Sequence, residues 1–229
     1  MKKIFILIMI YLAVIFIYYP TTQESIAFAQ DINIITETIK KDLEALEVNI
    51  EIPIIQGVSY ILVQDKINQI IYKDVSDFRE IMEKDAEEFL KIARKENWEI
   101  RKMQAYTEYT VHFIGSDILS ISVFYYSYRL GAHGYTLQIA YNFNLATGEK
   151  IIFKDFIDEK GLSEATINDE IRRAIKSEKE KYFENGASFK GVVEEQTFYI
   201  ENDGIVVYFG LYEIAPYAYG IRYFKIPYQ

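Results

Sequence analysis

The sequence predicts an α+β protein, in which antiparallel sheets are each packed by an amphipathic helix, in two sequential subdomains. Three observations lead to this class. Several segments alternate apolar and polar residues at the period of a strand, two longer segments repeat apolar residues at helical spacing, and turn-forming residues separate them. Helices that cover one face of antiparallel strands give an α+β architecture.

The first element is a predicted signal peptide over residues 1–29. Lys2 and Lys3 precede an unbroken apolar and aromatic run at 4–19, and Ala27-Phe28-Ala29 supplies small residues at the positions that a signal peptidase reads. We expect cleavage after Ala29 and a secreted or extracytoplasmic protein. The alternative is a retained N-terminal membrane anchor, although this run is shorter than the roughly 20 residues that cross a bilayer. After cleavage we expect no membrane span.

The N-terminal subdomain is predicted over residues 30–155. A half-buried strand is expected around 48–54, where Pro53 marks an edge or a strand end. A short helix is expected near 66–68. A longer amphipathic helix is expected to begin at Asp77, with Glu80 completing a capping box. Four strands rich in aromatic and β-branched residues should follow, at 106–114, 118–130, 136–145 and 149–153.

The C-terminal subdomain is predicted over residues 156–229. Ser163 is a favourable N-cap for a second amphipathic helix, which we expect to end at Asn185-Gly186. Asn202-Asp203-Gly204 indicates a hairpin between two strands at 197–201 and 205–211. A closing strand is expected at 222–227, after the motif Tyr-Glu-Ile-Ala-Pro-Tyr-Ala-Tyr-Gly.

Composition narrows the function classes. The chain has no cysteine, which excludes disulfides, thiol nucleophiles and thiolate metal sites. Its net charge is −9, and the predicted signal peptide carries a net +1, so the mature chain is near −10. This balance argues against nucleic acid, which requires a basic face, and suits a cationic partner. Ordinary solubility explains the same charge.

The residues offer little catalytic chemistry. His112 and His133 are the only imidazoles, and the chain contains neither the HExxH motif of zinc enzymes nor a GxSxG nucleophile motif. His112 fits a strand surface or a hydrogen-bonded core position. We therefore expect a non-enzymatic protein, with no catalytic residue, no metal and no cofactor.

Three signatures carry a family resemblance: residues 128–134, Tyr-Arg-Leu-Gly-Ala-His-Gly; residues 141–148, Tyr-Asn-Phe-Asn-Leu-Ala-Thr-Gly; and residues 212–219. In this order they resemble the extracytoplasmic region of the anti-sigma-V factor RsiV family over roughly residues 45–228. The family usually reads Gly-Gly-Ala-His-Gly, whereas this chain has Leu130 at the first position. The same module, of unknown function, occurs beside a peptidoglycan deacetylase domain.

The resemblance implies a sensory or binding module that recognises a lysozyme-like cationic protein or a peptidoglycan fragment. Neither a sigma-binding segment nor a deacetylase domain is expected beside it here. The candidate ligand-binding residues are Tyr128, His133, Glu213, Tyr217 and Tyr219. For His133 the alternative is a structural hydrogen bond to a loop. Glu213 is interpreted either as a cleft carboxylate that pairs with an arginine or His133, or as a lock on the 215–220 turn.

Tyrosines suit this function because they supply rigid amphipathic area at interfaces and sugar-binding surfaces. Those that we expect to contribute to such a surface are Tyr125, Tyr126, Tyr128, Tyr217, Tyr219 and Tyr223. Two other functions stay open. One is a cell-wall hydrolase or esterase with its site near His133 and Glu213, and the other is a structural envelope protein without a small ligand.

Overall fold

The computed structural model describes residues 31–228, so the predicted signal peptide lies outside the described residues. The first half of this range contains a five-stranded sheet and one long helix, and the second half contains two short helices and a three-stranded sheet. The elements of the first half are β1 Asn33–Asp42, β2 Leu46–Gln56, α1 Ile61–Glu96, β3 Met103–Ile114, β4 Ile118–Tyr128 and β5 Tyr135–Asn144. Those of the second half are α2 Phe153–Glu159, α3 Glu164–Ser177, β6 Phe198–Glu201, β7 Gly204–Phe209 and β8 Arg222–Pro227.

The predicted α+β class is confirmed, with one difference in strand direction. The first sheet has the order β1-β2-β3-β4-β5, and the second has the order β6-β7-β8 and is antiparallel. Within the first sheet β2 and β3 run parallel, whereas the sequence predicts only antiparallel pairs. Parallel neighbours need a long crossover connection, and α1 provides it.

Helix α1 is a single element of 36 residues, where the sequence predicts a short helix and a separate longer one. At about 1.5 Å per residue it is roughly 54 Å long. The predicted capping box at Asp77 is wrong, because Asp77 lies inside the helix and pairs with Lys73 one turn earlier. The helix ends where Asn97 adopts a left-handed conformation, with φ of 55°.

Strand β1 is absent from the sequence-based prediction. It pairs antiparallel with β2 over ten residues, from Asn33 opposite Gln56 to Asp42 opposite Glu47. All of its side chains are exposed or only partly buried, because it is the edge of the sheet. An exposed edge strand carries no buried apolar face, so its sequence lacks the alternation that identifies β2.

Two hydrophobic cores hold the chain together. The first lies between α1 and one face of the five-stranded sheet, where Tyr141 and Phe143 are fully buried. The second is formed by α2, α3 and the three-stranded sheet. The core residues and their partly buried neighbours all fall between 32 and 228, so a chain that starts at Gln30 retains them.

The second half departs from the sequence expectations at two places. The expected strand at 149–153 is reduced to one bridge between Phe143 and Lys150, and α2 begins at Phe153. Helix α3 starts at the predicted cap, where the Ser163 hydroxyl accepts a hydrogen bond from the Thr166 N–H, but it ends at Ser177. Left-handed residues Glu184 and Asn185 follow, which no α-helix accommodates.

The remaining strands agree with prediction. Residues 202–203 form the tight turn between β6 and β7, since Glu201 pairs with Gly204. Among residues 31–228, no helix combines the length and the apolar character that a membrane span requires.

Candidate functional site

The two halves of the chain meet through a set of polar groups, beside which Phe113 and Ile118 of the first half pack against the second core. The Ser120 hydroxyl accepts a hydrogen bond from the Ile200 N–H at 2.9 Å and donates one to Asn142 Oδ1 at 2.6 Å. The Asn142 side-chain amide in turn donates to the Phe198 carbonyl at 2.9 Å. Strand β6 is therefore held on the open face of the first sheet, which is the face opposite α1.

Tyr208 hydrogen-bonds to the outer edge of β5, the edge that does not pair with β4. Its hydroxyl accepts a hydrogen bond from the Ala140 N–H at 3.0 Å and donates one to the Gln138 carbonyl at 3.3 Å. Burial raises the pKa of Tyr208, so the hydroxyl keeps the proton that it donates. Unpaired backbone groups on an edge strand invite pairing with another chain, and here one tyrosine satisfies two of them.

We expect Tyr208→Phe to lower the free energy of unfolding by about 1–2 kcal/mol, because two buried backbone groups lose their partner. Urea unfolding followed by circular dichroism measures the change. Tyr60→Phe is the control: Tyr60 is 64% exposed, and its hydroxyl makes no hydrogen bond among residues 31–228, so its loss leaves no buried group unpaired. An equal loss in both variants would contradict the role of Tyr208 at the edge.

Three aromatic side chains from two distant segments form a stack that we call the tyrosine clasp: His133, Tyr212 and Tyr217. The His133 ring lies 3.9 Å from the Tyr217 ring, centroid to centroid, at an interplanar angle of 25°. The Tyr212 hydroxyl is 3.3 Å from His133 Nε2. The Tyr217 hydroxyl donates to the Gly134 carbonyl at 2.9 Å, so the clasp ties the 131–134 loop to the C-terminal motif.

The backbone on both sides of the clasp is closely constrained. Gly134 lies against the Tyr126 ring, and a Cβ at this position would overlap that ring. Leu130 adopts a left-handed conformation with φ of 63°, and Tyr212 does the same with φ of 67°. Leu130 stands where the resembled family has glycine. Glycine adopts this left-handed backbone freely, whereas leucine adopts it at a conformational cost of roughly 1–2 kcal/mol.

The structure joins only some of the predicted ligand-binding residues. His133 and Tyr217 are in the clasp, and Tyr219 follows on an exposed turn of the same motif. Tyr128 lies at the end of β4, opposite Gln104 of β3.

Two residues take places that differ from the sequence interpretation. Glu213 is exposed and accepts a hydrogen bond from the Gly210 N–H, so it closes the 210–213 turn instead of locking the 215–220 turn. It lines a shallow cleft of about 330 Å³, but that cleft includes neither an arginine nor His133 among the described residues. Tyr125, expected on the binding surface, is only 4% exposed. Its hydroxyl donates to that of Tyr141 at 2.8 Å in the first core, because its side of β4 faces α1.

A second feature, not anticipated from the sequence, adjoins the clasp. It is a groove of about 450 Å³ on the open face of the first sheet, which we call the acidic groove. Its lining residues are Asn49, Glu51, Gln104, Tyr106, Thr107, Glu108, Phe124, Tyr126 and Thr136. The Tyr106 and Tyr126 rings stack at 5.7 Å, and Tyr126 is the residue that contacts Gly134.

Sequence reasoning misses the groove because its residues come from four strands, and sequence alternation gives no strand order. Cross-strand pairing places Asn49 beside Tyr106, Tyr106 beside Tyr126, and Tyr126 beside Thr136. Burial raises the pKa of Tyr106 to about 12, aided by the negative charge of the neighbouring Glu47 carboxylate. The one usable sequence signal is the polar face of β3, whose residues 104, 106 and 108 follow one another at a spacing of two.

His112 belongs to the junction of the two halves. Its Nε2 lies 2.9 Å from the Ser122 hydroxyl, and its ring stacks on Tyr199 of β6 at 3.7 Å with an interplanar angle of 14°. Burial lowers the pKa of His112 to about 4, although the charge of Glu201 acts in the opposite direction. His112 is therefore neutral at pH 7, as a hydrogen-bonded interior histidine.

Within residues 31–228, no three or more histidine, aspartate or glutamate side chains are grouped in a way that could hold a metal ion. The described residues place exposed tyrosines beside the clasp and carboxylates beside stacked aromatic rings.

Comparison with known proteins gives two family matches and a shared fold. Residues 39–136 match the family model described as "Deacetylase PdaC", and residues 154–229 match that described as "Protein of unknown function (DUF3298)". Comparison with the curated proteins gives no match. The resemblance to the RsiV family stays a prediction.

Two crystal structures of DUF3298-family proteins are similar to this chain. One, from Bacteroides fragilis, has a TM-score of 0.63 at 16% identity and covers 87% of this chain and 92% of its own. The other, from Pseudomonas aeruginosa, has a TM-score of 0.52 at 13% identity, with coverages of 88% and 92%. The chain thus joins a segment that matches the PdaC model to one that matches the DUF3298 model, in the fold of solved DUF3298-family proteins.

Proposed function

We propose that this protein is a secreted, non-enzymatic binding module that recognises a cationic protein of the lysozyme type at the cell envelope. The observation that carries the proposal is the tyrosine clasp together with the turn that follows it. Tyr212 is 50% exposed and Tyr219 is 40% exposed, on backbone that stacking and hydrogen bonds hold in place. Exposed tyrosines on rigid backbone lose little conformational entropy on binding, which is why tyrosine is enriched at binding hot spots.

Charge supports the choice of partner. The chain has a formal net charge of −9, and the open sheet face beside the clasp carries Glu47, Glu51 and Glu108. A negative surface accelerates encounter with a basic protein and disfavours acidic polymers. This attraction is screened at high salt, so affinity should fall as ionic strength rises.

The contacts of His133 and Glu213 support binding rather than hydrolysis. The His133 Nδ1 lies 2.8 Å from the Gly134 carbonyl, and Nε2 faces Tyr212, so both ring nitrogens are engaged in loop contacts. Glu213 is bound to the Gly210 backbone. A general acid or base must lie within hydrogen-bond reach of a substrate proton, and the contacts within the loops favour a structural role for both side chains.

Calorimetric titration of residues 30–229 with egg-white lysozyme tests the proposal. We expect a dissociation constant in the micromolar range or below, weakening as salt is raised. Tyr219→Ala should weaken binding at least tenfold, since tyrosines at the centre of an interface carry much of the affinity. Tyr60→Ala, which removes a 64% exposed tyrosine from the start of α1, is the matched control and should leave binding unchanged.

A parallel titration with peptidoglycan fragments separates the partner classes. Binding to the fragments but not to lysozyme would replace the cationic protein by a cell-wall component. Absence of binding to both at about 100-fold molar excess would overturn the proposal and favour a structural envelope protein.

A further inference from the structure

The acidic groove is lined by negatively charged and uncharged side chains. They supply carboxylates, amides, hydroxyls and aromatic rings, and among the described residues they include neither lysine nor arginine. Within residues 31–228, the ion pairs that form include neither Glu51 nor Glu108. Two carboxylates without a counter-ion beside an aromatic wall disfavour an anionic ligand and favour a cation.

A second observation points the same way. Asn49 lines the groove, and its Oδ1 is buried without a hydrogen-bond partner among the described residues. A buried acceptor left unpaired destabilises the free protein, because it has lost its water and gained nothing. The neighbouring Tyr106 ring stands beside Asn49 in the adjacent strand. A donor that enters here would meet a carboxylate and an aromatic ring, and rotation of the partly exposed Asn49 side chain would bring its unpaired Oδ1 to the same ligand.

The nearest basic residue of the same sheet face does not fill this role. Lys40 lies opposite Asn49 across the β1–β2 pair, and it lines an adjoining depression with Lys41, Asp42, Glu47 and Lys102, whose border with the groove is Asn49 itself. It stands on the outer side of Asn49, away from Glu108 and Phe124. The groove therefore stays negatively charged, although its border at Asn49 adjoins a depression that contains both lysines and acidic residues.

We infer that the acidic groove receives the guanidinium or ammonium group of a basic side chain that the partner protein presents. The inference rests on the proposed function for the identity of the partner. A planar guanidinium satisfies the groove best, since it donates in several directions at once and stacks on tyrosine. Because Tyr126 contacts Gly134 beside the clasp, one protein can engage both the groove and the exposed tyrosines.

The groove has a test of its own that needs no protein partner. Titration of residues 30–229 with L-arginine amide, followed by nuclear magnetic resonance, should shift the Asn49 side-chain amide and the Tyr106 ring resonances with millimolar affinity. The double variant Glu51→Gln, Glu108→Gln should lose these shifts while keeping its other resonances in place. Unchanged Asn49 and Tyr106 signals at saturating arginine amide would overturn the inference.

Lysozyme titrations then test whether the groove is part of the surface that binds lysozyme. Glu51→Gln, Glu108→Gln should weaken lysozyme binding at least tenfold and flatten its salt dependence. The control Glu87→Gln, Glu88→Gln removes the same charge from exposed positions on α1, across the sheet, and should change affinity less than twofold. Equal losses in both double variants would mean that only overall charge matters, and would refute a specific role of the groove.

The two hypotheses fail in different ways. If lysozyme does not bind but arginine amide shifts Asn49, the partner is wrong and the groove assignment stands. If lysozyme binds and neither glutamate variant affects it, the proposed function stands and the groove assignment falls.

Discussion

Gly134→Ala is expected to destabilise the protein by about 1–2 kcal/mol, within the usual cost of overpacking. The new methyl group would overlap Cε2, Cζ and Oη of Tyr126. That ring is partly exposed and lines the acidic groove, so it can move into the groove, but the move costs its stacking on Tyr106, at 5.7 Å between centroids. The midpoint of urea unfolding measures the loss. The same variant should weaken lysozyme binding, because the Gly134 carbonyl accepts the hydrogen bond from Tyr217.

Gly131→Ala is the matched control, three residues earlier in the same loop. The nearest atom to a Cβ there is the His133 carbonyl oxygen, at 4.0 Å, and its backbone does not lie in the left-handed region. Alanine at such a position is neutral or slightly stabilising, since it restricts the unfolded chain. If Gly134→Ala proved as stable as Gly131→Ala, close packing of the loop on Tyr126 would not be what holds it.

The second large effect concerns pH. The pKa of His112 is about 4 in the folded protein because the ring is partly buried, whereas an unfolded histidine has a pKa near 6.5. As pH falls from 6.5 to 4, the unfolded chain takes up a proton that the folded protein does not. Stability therefore decreases over this window by about 1–2 kcal/mol, because solvent at the partly exposed ring screens some of the effect.

His112→Gln removes this proton uptake while keeping a polar group near Ser122. The difference in unfolding free energy between the unaltered protein and the variant should shrink as pH drops from about 7 to about 5. The carboxylates titrate equally in both proteins and cancel in the comparison. A difference that stays constant across this range would show that burial does not displace the titration of His112.

The sequence predicts much of the fold, for reasons that particular elements make clear. Ser163 and the Asn-Asp-Gly turn at 202–204 are predictable, because their hydrogen bonds and backbone angles are local. The parallel β2–β3 pair is not, because it depends on where a 36-residue helix returns the chain. Strand β1 escapes prediction because an edge strand needs no buried face.

The sequence predicts the separate segments of the candidate site, but not how the fold brings them together. The motif at 212–219 and the histidine between two glycines are separate signals in the sequence, and the stacking of His133 on Tyr217 joins them. The side chain of Glu213, by contrast, reaches back three residues to Gly210, which no residue pattern indicates. The acidic groove depends on the pairing register of four strands, and the spacing of residues along the sequence does not give that register.

The cover that Tyr208 places on β5 bears on how the two halves can be separated. A fragment that ends near residue 146 would keep the five-stranded sheet and its helix, but the Ala140 N–H and the Gln138 carbonyl would face solvent. Two such fragments could then pair edge to edge through β5, so the isolated N-terminal half should self-associate more strongly than the whole chain. The C-terminal half thus protects the β5 edge of the N-terminal half from pairing with another chain.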